Sequence, residues 1–168
     1  MAVGFTEMVV ESVRVHMLSS QHVVILKEAE RDRYLPIWIG PWEANAIAMK
    51  LQGVSPERPL THDLFAQTLE RLGVVVKRVV VSDLADETFR ARLVLELDGQ
   101  VKEIDARPSD AIALAIRASV PIYATDAVLE RAGVVPEIDE DEKLSVFREF
   151  VNSLDHDVSP PPEDGEPV

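Results

Sequence analysis

Between Phe89 and Ala106 the chain leaves little freedom of structure. Phe89, Ala91, Leu93, Leu95 and Leu97 alternate with Arg90, Arg92, Val94 and Glu96, and Asp98-Gly99 then leads into Val101 to Ala106. An apolar side chain at every second residue suits an extended strand with one face in a core. Asp-Gly supplies the two positive φ angles of a tight two-residue hairpin. A sheet is therefore the starting point for the whole domain.

The flanking sequence adds strands and helices in turn. Glu11 to Leu26 alternates around Ser19-Ser20-Gln21 as a second hairpin, and Leu35 to Ile39 reads as a short strand. Gly40-Pro41 predicts a helix start, with Glu43 in the first turn, Gly53 at the end, and Ala44, Ile47, Ala48 and Leu51 as the buried stripe. Thr61 is the expected N-cap of a second helix with Leu64, Phe65, Leu69 and Leu72 as its apolar face, closed by Gly73. Val74 to Val81 is β-branched enough for a buried strand. Ser109 is the expected cap of a helix reaching Ser119, Pro121 to Ala124 returns as a strand, and Asp126 opens a short helix closed by Gly133. Hairpins interrupted by helices predict an α+β fold, with a mixed, largely antiparallel sheet and helices packed on its faces. Pro41-Trp-Glu-Ala and Pro108-Ser-Asp-Ala resemble each other and both lead into Ala-Ile-Ala, which reads as repeated helix-start chemistry.

Charge divides the chain. Of 168 residues and a net charge of −13, residues 136–168 hold 11 acidic and 2 basic side chains, against 19 and 15 in residues 1–135. The expected organisation is one domain over 1–135, an acidic amphipathic helical extension over 136–156 with Leu144, Phe147, Val151 and Leu154 on one face, and a disordered acidic, proline-rich tail over 157–168. A body at −4 lacks the broad cationic surface that drives nucleic-acid affinity by counterion release, so polyanion binding would have to rely on local arginines or metal ions. The absence of cysteine excludes disulfides, thiolate catalysis and cysteine-bound zinc. No apolar run is long enough for a membrane helix and no signal peptide is visible, so the expected compartment is the cytoplasm and no membrane partner is expected.

The chemistry-bearing residues gather at the expected helix starts. Arg107-Pro-Ser-Asp110 offers free backbone amides, a guanidinium and the Ser109 hydroxyl, which is what a phosphate group needs, and Arg58-Pro-Leu-Thr61-His62-Asp63 repeats the pattern. The plainer reading makes Ser109 and Thr61 caps, Asp110 and Asp63 dipole partners, and the arginines their ion-pair partners. Phosphodiester hydrolysis needs charge stabilisation and an activated water, for which Glu43, His62, Asp63, Asp105 and Asp110 are available. His62 is the natural general base. If the two helix starts converge, Asp63, Asp105 and Asp110, with Glu43 as a weaker candidate, could ligate Mg²⁺ or Mn²⁺. Trp38 and Trp42 fit core or interface positions as well as base-stacking platforms, and Arg90 and Arg92 share a strand face that is either solvated or backbone-tracking. No glycine-rich phosphate loop or nucleophile elbow is present.

Taken in order, Leu35-Pro-Ile-Trp-Ile-Gly40, Glu43-Ala44, Arg58-Pro-Leu-Thr-His-Asp63, Asp105-Ala-Arg-Pro-Ser-Asp110 and Pro121-Ile-Tyr123 resemble the bifunctional nuclease domain family over roughly residues 8–132. The resemblance implies a nuclease that hydrolyses RNA and DNA. Placed on its motif positions, the physical assignment is Asp63, Asp110 and Asp105 as metal or base groups, His62 as proton-transfer residue, and Arg58 and Arg107 as phosphate clamps with Thr61 and Ser109 beside them. The alternative is a non-catalytic module that binds a phosphorylated ligand or a protein, or an oligomeric scaffold. A homodimer or larger assembly is expected in each case.

Overall fold

The computed structural model describes residues 4–136 and 142–154. Two three-stranded meanders and one inserted strand make a seven-stranded sheet. The first meander is β1 (Phe5–His16), β2 (Gln21–Glu28) and β3 (Tyr34–Ile39); the second is β4 (Val75–Ala85), β5 (Thr88–Leu97) and β6 (Gln100–Ala106). β7 (Ile122–Thr125) lies between them, antiparallel to β1 and parallel to β4, giving the order β3-β2-β1-β7-β4-β5-β6. All other pairings are antiparallel, so the fold is α+β with a mixed, largely antiparallel sheet.

The Phe89–Ala106 hairpin forms as its pattern dictates. Ala91, Leu93 and Leu95 are buried, Leu97 pairs with Gln100, and Asp98 and Gly99 take φ of 51° and 76°. Arg92 bonds Glu103 at 2.9 Å, so one of the two exposed arginines of β5 is engaged within the sheet.

Three helices of equal length follow the strands: α1 (Pro41–Leu51), α2 (Thr61–Arg71) and α3 (Pro108–Ala118). α3 lies between the other two and is the most buried, with Ala111, Ile112, Ala113, Leu114 and Ala115 inaccessible to solvent. Its core partners include Met8, Val24, Leu26, Leu35, Ile37, Ile47, Val79, Val81 and Leu93, so one contiguous core joins both meanders. Burial on this scale, at about 25 cal/mol per Å² of apolar surface, is the main stabilising term. The short α4 (Asp126–Ala132) adds Val128 and Leu129 to the core, with Thr125 as its N-cap. α5 (Glu142–Leu154) runs near β1, and Val146, Phe147 and Phe150 on it are exposed.

Several local expectations are corrected. Leu51 is exposed and Ala46 takes its place in the buried stripe of α1. Leu64, Phe65 and Leu72 are exposed, and α2 buries no residue fully. The reason is geometric: α2 packs on α3 and touches β4, but it stands off the edge strand β6, leaving Ile104 half-exposed on the facing strand. Thr61 and Ser109 are not caps. Leu60 and Arg107 hold the N-cap positions, and neither α2 nor α3 has a side-chain bond from its cap residue. The start of the acidic extension near Asp139, the side chains of Leu144 and Leu154, and the tail over 157–168 lie outside the described residues.

Candidate active site

Each of the three packed helices carries a carboxylate at its third position: Glu43 in α1, Asp63 in α2 and Asp110 in α3. Acids there answer the positive end of the helix dipole and its unpaired amides. The fold brings these helix starts together.

Arg107, the N-cap of α3, binds two of the acids. Its Nε donates to Asp110 Oδ2 at 2.8 Å and its Nη2 to Glu43 Oε1 at 2.7 Å. Asp110 and then Glu43 raise the guanidinium above its ordinary value, so it stays charged at any working pH. The second carboxylate oxygen of Glu43 folds back over Gly40, where a Cβ would collide with it. Arg107 is nonetheless 66% exposed, and its Nη1 has no partner among the described residues. A cation that two carboxylates hold in place, with a free N–H edge toward solvent, can receive one phosphate oxygen without moving.

The other oxygen of Asp110 meets His62. His62 Nε2 lies 2.9 Å from Asp110 Oδ1, across 48 residues of sequence. An ionised carboxylate only accepts, so Nε2 carries a proton toward Asp110, and in the neutral ring the lone pair then lies on Nδ1. That tautomer is the one a general base needs. His62, Arg107 and Asp110 line a cleft of about 630 Å³, together with Thr61 and Asp105. Its walls include the buried Leu93 together with Phe65 and Ile104, which are left open because α2 stands away from β6.

Not every residue of the predicted site arrives there. Asp63 turns the other way: Oδ2 accepts from the Leu60 amide at 2.9 Å and Oδ1 from Arg117 Nε at 2.7 Å. Burial opposes its ionisation, but the Leu60 amide and Arg117 outweigh burial and hold the carboxyl below the usual aspartate value. Arg117, whose side chain is 6% exposed, also donates to Ala113 O and Ala46 O, so it ties α1, α2 and α3 together. Its only sequence signal was a basic residue in the last turn of a helix. Arg58 stays in the exposed loop before α2 and lines neither cleft at the helix starts. Asp105 reaches the cleft from β6 without an ion-pair partner among the described residues. Among the described residues no group of three or more His, Asp or Glu stands together as a metal site requires. Arranged this way, Asp63, Asp105, Asp110 and Glu43 do not fit a resident Mg²⁺ or Mn²⁺ ion, because Arg117 holds Asp63 and Arg107 holds Asp110 and Glu43, which leaves Asp105 without a second carboxylate free to converge with it.

A second cleft of about 410 Å³ opens on the far side of Arg107. The sheet curls so that Trp38 of β3 and Phe89 of β5, near opposite ends of the strand order, share its lining with His22, Arg107 and Ser109. Twisting of successive strands, sharpened by bulges in β1 and β4, accounts for such an approach.

The sequence model of the bifunctional nuclease domain matches residues 24–137. An uncharacterized protein of Mycobacterium tuberculosis is 44% identical over 160 residues, covering 90% of this chain and 96% of its own length. Bifunctional nuclease 1 of Oryza sativa subsp. japonica is 28% identical over 117 residues, covering 67% of this chain and 35% of its own. Bifunctional nuclease 1 of Arabidopsis thaliana is 28% identical over 103 residues, covering 60% of this chain and 32% of its own. The chain thus spans about a third of the plant proteins and nearly all of the mycobacterial one.

Proposed function

The chain belongs to the bifunctional nuclease domain family, and we propose that it is a hydrolase that cleaves phosphodiester bonds of RNA and DNA. The observation that carries this reading is the run of contacts from His62 through Asp110 and Arg107 to Glu43 beside an open cleft. In the proposed reaction Arg107 Nη1 and the Thr61 hydroxyl bind non-bridging oxygens of the phosphate. His62 Nδ1 takes a proton from a water as its oxygen attacks phosphorus. The bond from phosphorus to the leaving oxygen then breaks, and the imidazolium returns the proton to that oxygen. Asp110 holds the ring and offsets its transient charge, and Asp105 accepts the second proton of the water as a hydrogen bond. Glu43 keeps Arg107 in register. Mg²⁺ or Mn²⁺ enters the proposal as a dependence to be measured, and no step is routed through an ion.

Cleavage of single-stranded RNA and DNA by purified protein tests it, with Mg²⁺, Mn²⁺ or EDTA present. His62→Ala and Arg107→Ala should each lower the rate by about 10²- to 10⁴-fold. Arg107→Lys should recover little, since lysine cannot reach two carboxylates and a phosphate at once. Full activity in His62→Ala would rule out this base.

The net charge of the body, −4, supports a second reading, in which the same cleft binds a phosphorylated ligand without turnover. Calorimetric titration of nucleotides into protein that does not cleave would favour it. A cytoplasmic homodimer or larger assembly belongs to either reading; it is supported by the exposed Val146, Phe147 and Phe150 of α5 and is tested by light scattering. Among the described residues no helix is long and apolar enough to cross a membrane.

A further inference from the structure

We propose that His22 is the general acid of the cleavage, giving its proton to the leaving oxygen from the side of Arg107 opposite His62. This rests on the nuclease reading and adds a catalytic residue to the same site.

The first observation is where the ring stands. His22 pairs with Ile39 of β3 and Val15 of β1, and precedes Val24 by two residues on β2. Side chains two apart on a strand share a face, and Val24 belongs to the core under the helices. At the start of β2 that face opens into the cleft of about 410 Å³ beside Arg107, and the half-buried His22 lines it.

The second is that the ring is uncommitted. His16 bonds Ser19 and His62 bonds Asp110, whereas the His22 ring has no hydrogen-bond partner among the described residues. The charged groups at its cleft are Arg107, Glu87 of the turn between β4 and β5, and Glu43, which folds over Gly40 at the rim. Its neighbours in β1 and β3, Val15 and Ile39, are uncharged. Two carboxylates thus accompany the one guanidinium, and an imidazolium there does not enter a wholly cationic site.

The third is the chemistry at phosphorus. Arg107 lines both clefts, so a phosphate on its guanidinium has His62 on one side and His22 on the other. Attacking and leaving oxygens lie roughly in line across the phosphorus, which puts the leaving oxygen away from the base. Water gives a proton to His62 Nδ1 as its oxygen bonds phosphorus. The electron pair of the breaking bond goes to the leaving oxygen, which takes the proton of the His22 imidazolium. His62 then releases a proton to solvent and His22 regains one, which restores both rings. His62 need not carry its proton around the phosphorus.

The test compares two phosphodiesters. A single-stranded DNA octanucleotide has an alkoxide leaving group that needs a proton, and the p-nitrophenyl ester of thymidine 5′-phosphate releases a phenolate that does not. In wild-type protein kcat/KM for the octanucleotide should fall at high pH as the acid deprotonates, with no such fall for the nitrophenyl ester. His22→Gln should slow octanucleotide cleavage by about 10²- to 10⁴-fold and nitrophenyl ester cleavage by less than about 10-fold, and should abolish the alkaline fall. A merely structural histidine would lower both substrates alike. Matching alkaline limbs for the two substrates in wild-type protein would overturn the role of His22 whether or not the variant folds. So would equal losses in a His22→Gln protein whose circular dichroism and melting match wild type. Wild-type protein that cleaves neither ester removes the nuclease reading and this role with it. Cleavage of both without leaving-group dependence removes His22 alone.

Discussion

Asp63 belongs to the motif that suggested catalysis, yet its geometry predicts that Asp63→Ala acts on stability first. Two losses are involved. The Leu60 amide loses its cap acceptor, at a cost of about 1 kcal/mol. The Arg117 guanidinium, 6% exposed, loses its counter-charge, and breaking one side of a buried pair costs about 3–5 kcal/mol. Asp63 retains some solvent contact and Arg117 keeps its bonds to Ala46 O and Ala113 O, so the total should stay near about 3–5 kcal/mol. That is a large part of the stability of an ordinary domain and corresponds to a fall in Tm of about 6–20 °C. Urea denaturation of wild-type, Asp63→Ala, Arg117→Met and the double variant closes a mutant cycle. The double variant should be more stable than Asp63→Ala, because the uncompensated buried charge is gone. The sign of the pH effect follows from the depressed carboxyl. Its contribution is fully present above the ordinary aspartate pKa of about 3.9 and is lost as pH falls through the lower folded value. A loss under about 1 kcal/mol for Asp63→Ala, or strictly additive singles, would refute the structural role assigned to this pair.

Two further predictions concern the sheet. Glu28→Gln should destabilise by about 1.5–3 kcal/mol, since Glu28 is 3% exposed and takes both Nε and Nη2 of Arg33 at 2.7 and 3.1 Å. The Arg33 bond, against the opposing effect of burial, holds the Glu28 carboxyl below its usual value. This contribution too should therefore fade only in acid, and an acid titration of stability in wild type and variant reads the difference. Gly99→Val places a β-branched residue at φ 76°, and should cost at least about 1–2 kcal/mol in denaturant titrations while leaving the helix-start site intact.

Much of the secondary structure could be read locally. The Phe89–Leu97 alternation and Asp98-Gly99 specify a hairpin through side-chain periodicity and backbone sterics, which act within a few residues. Gly40-Pro41 and Arg107-Pro108 specify helix starts for the same kind of reason, and the echo between them has a structural meaning: Glu43 and Asp110 occupy equivalent positions and share one arginine. The ordered motifs also carried the family.

Tertiary packing decided the rest. The same local grammar of acid, helix start and arginine sends Asp110 to His62 and Asp63 to Arg117, because the packing of α1, α2 and α3, and not chain proximity, sets which charge is within reach. The stripe of α2 is apolar by period, yet Phe65 faces an open cleft and Leu64 and Leu72 face solvent, since amphipathicity states that a face seeks cover and not whether a neighbour is near enough to supply it. That strands β3 and β5, near opposite ends of the strand order, both line the cleft beside Arg107 depends on the accumulated twist of seven strands, a long-range sum that no window of sequence contains. Sequence thus determined the elements and the stock of reactive groups. The fold chose which of those groups face one another, because contacts between residues 48 to 71 positions apart exist only once the core has closed.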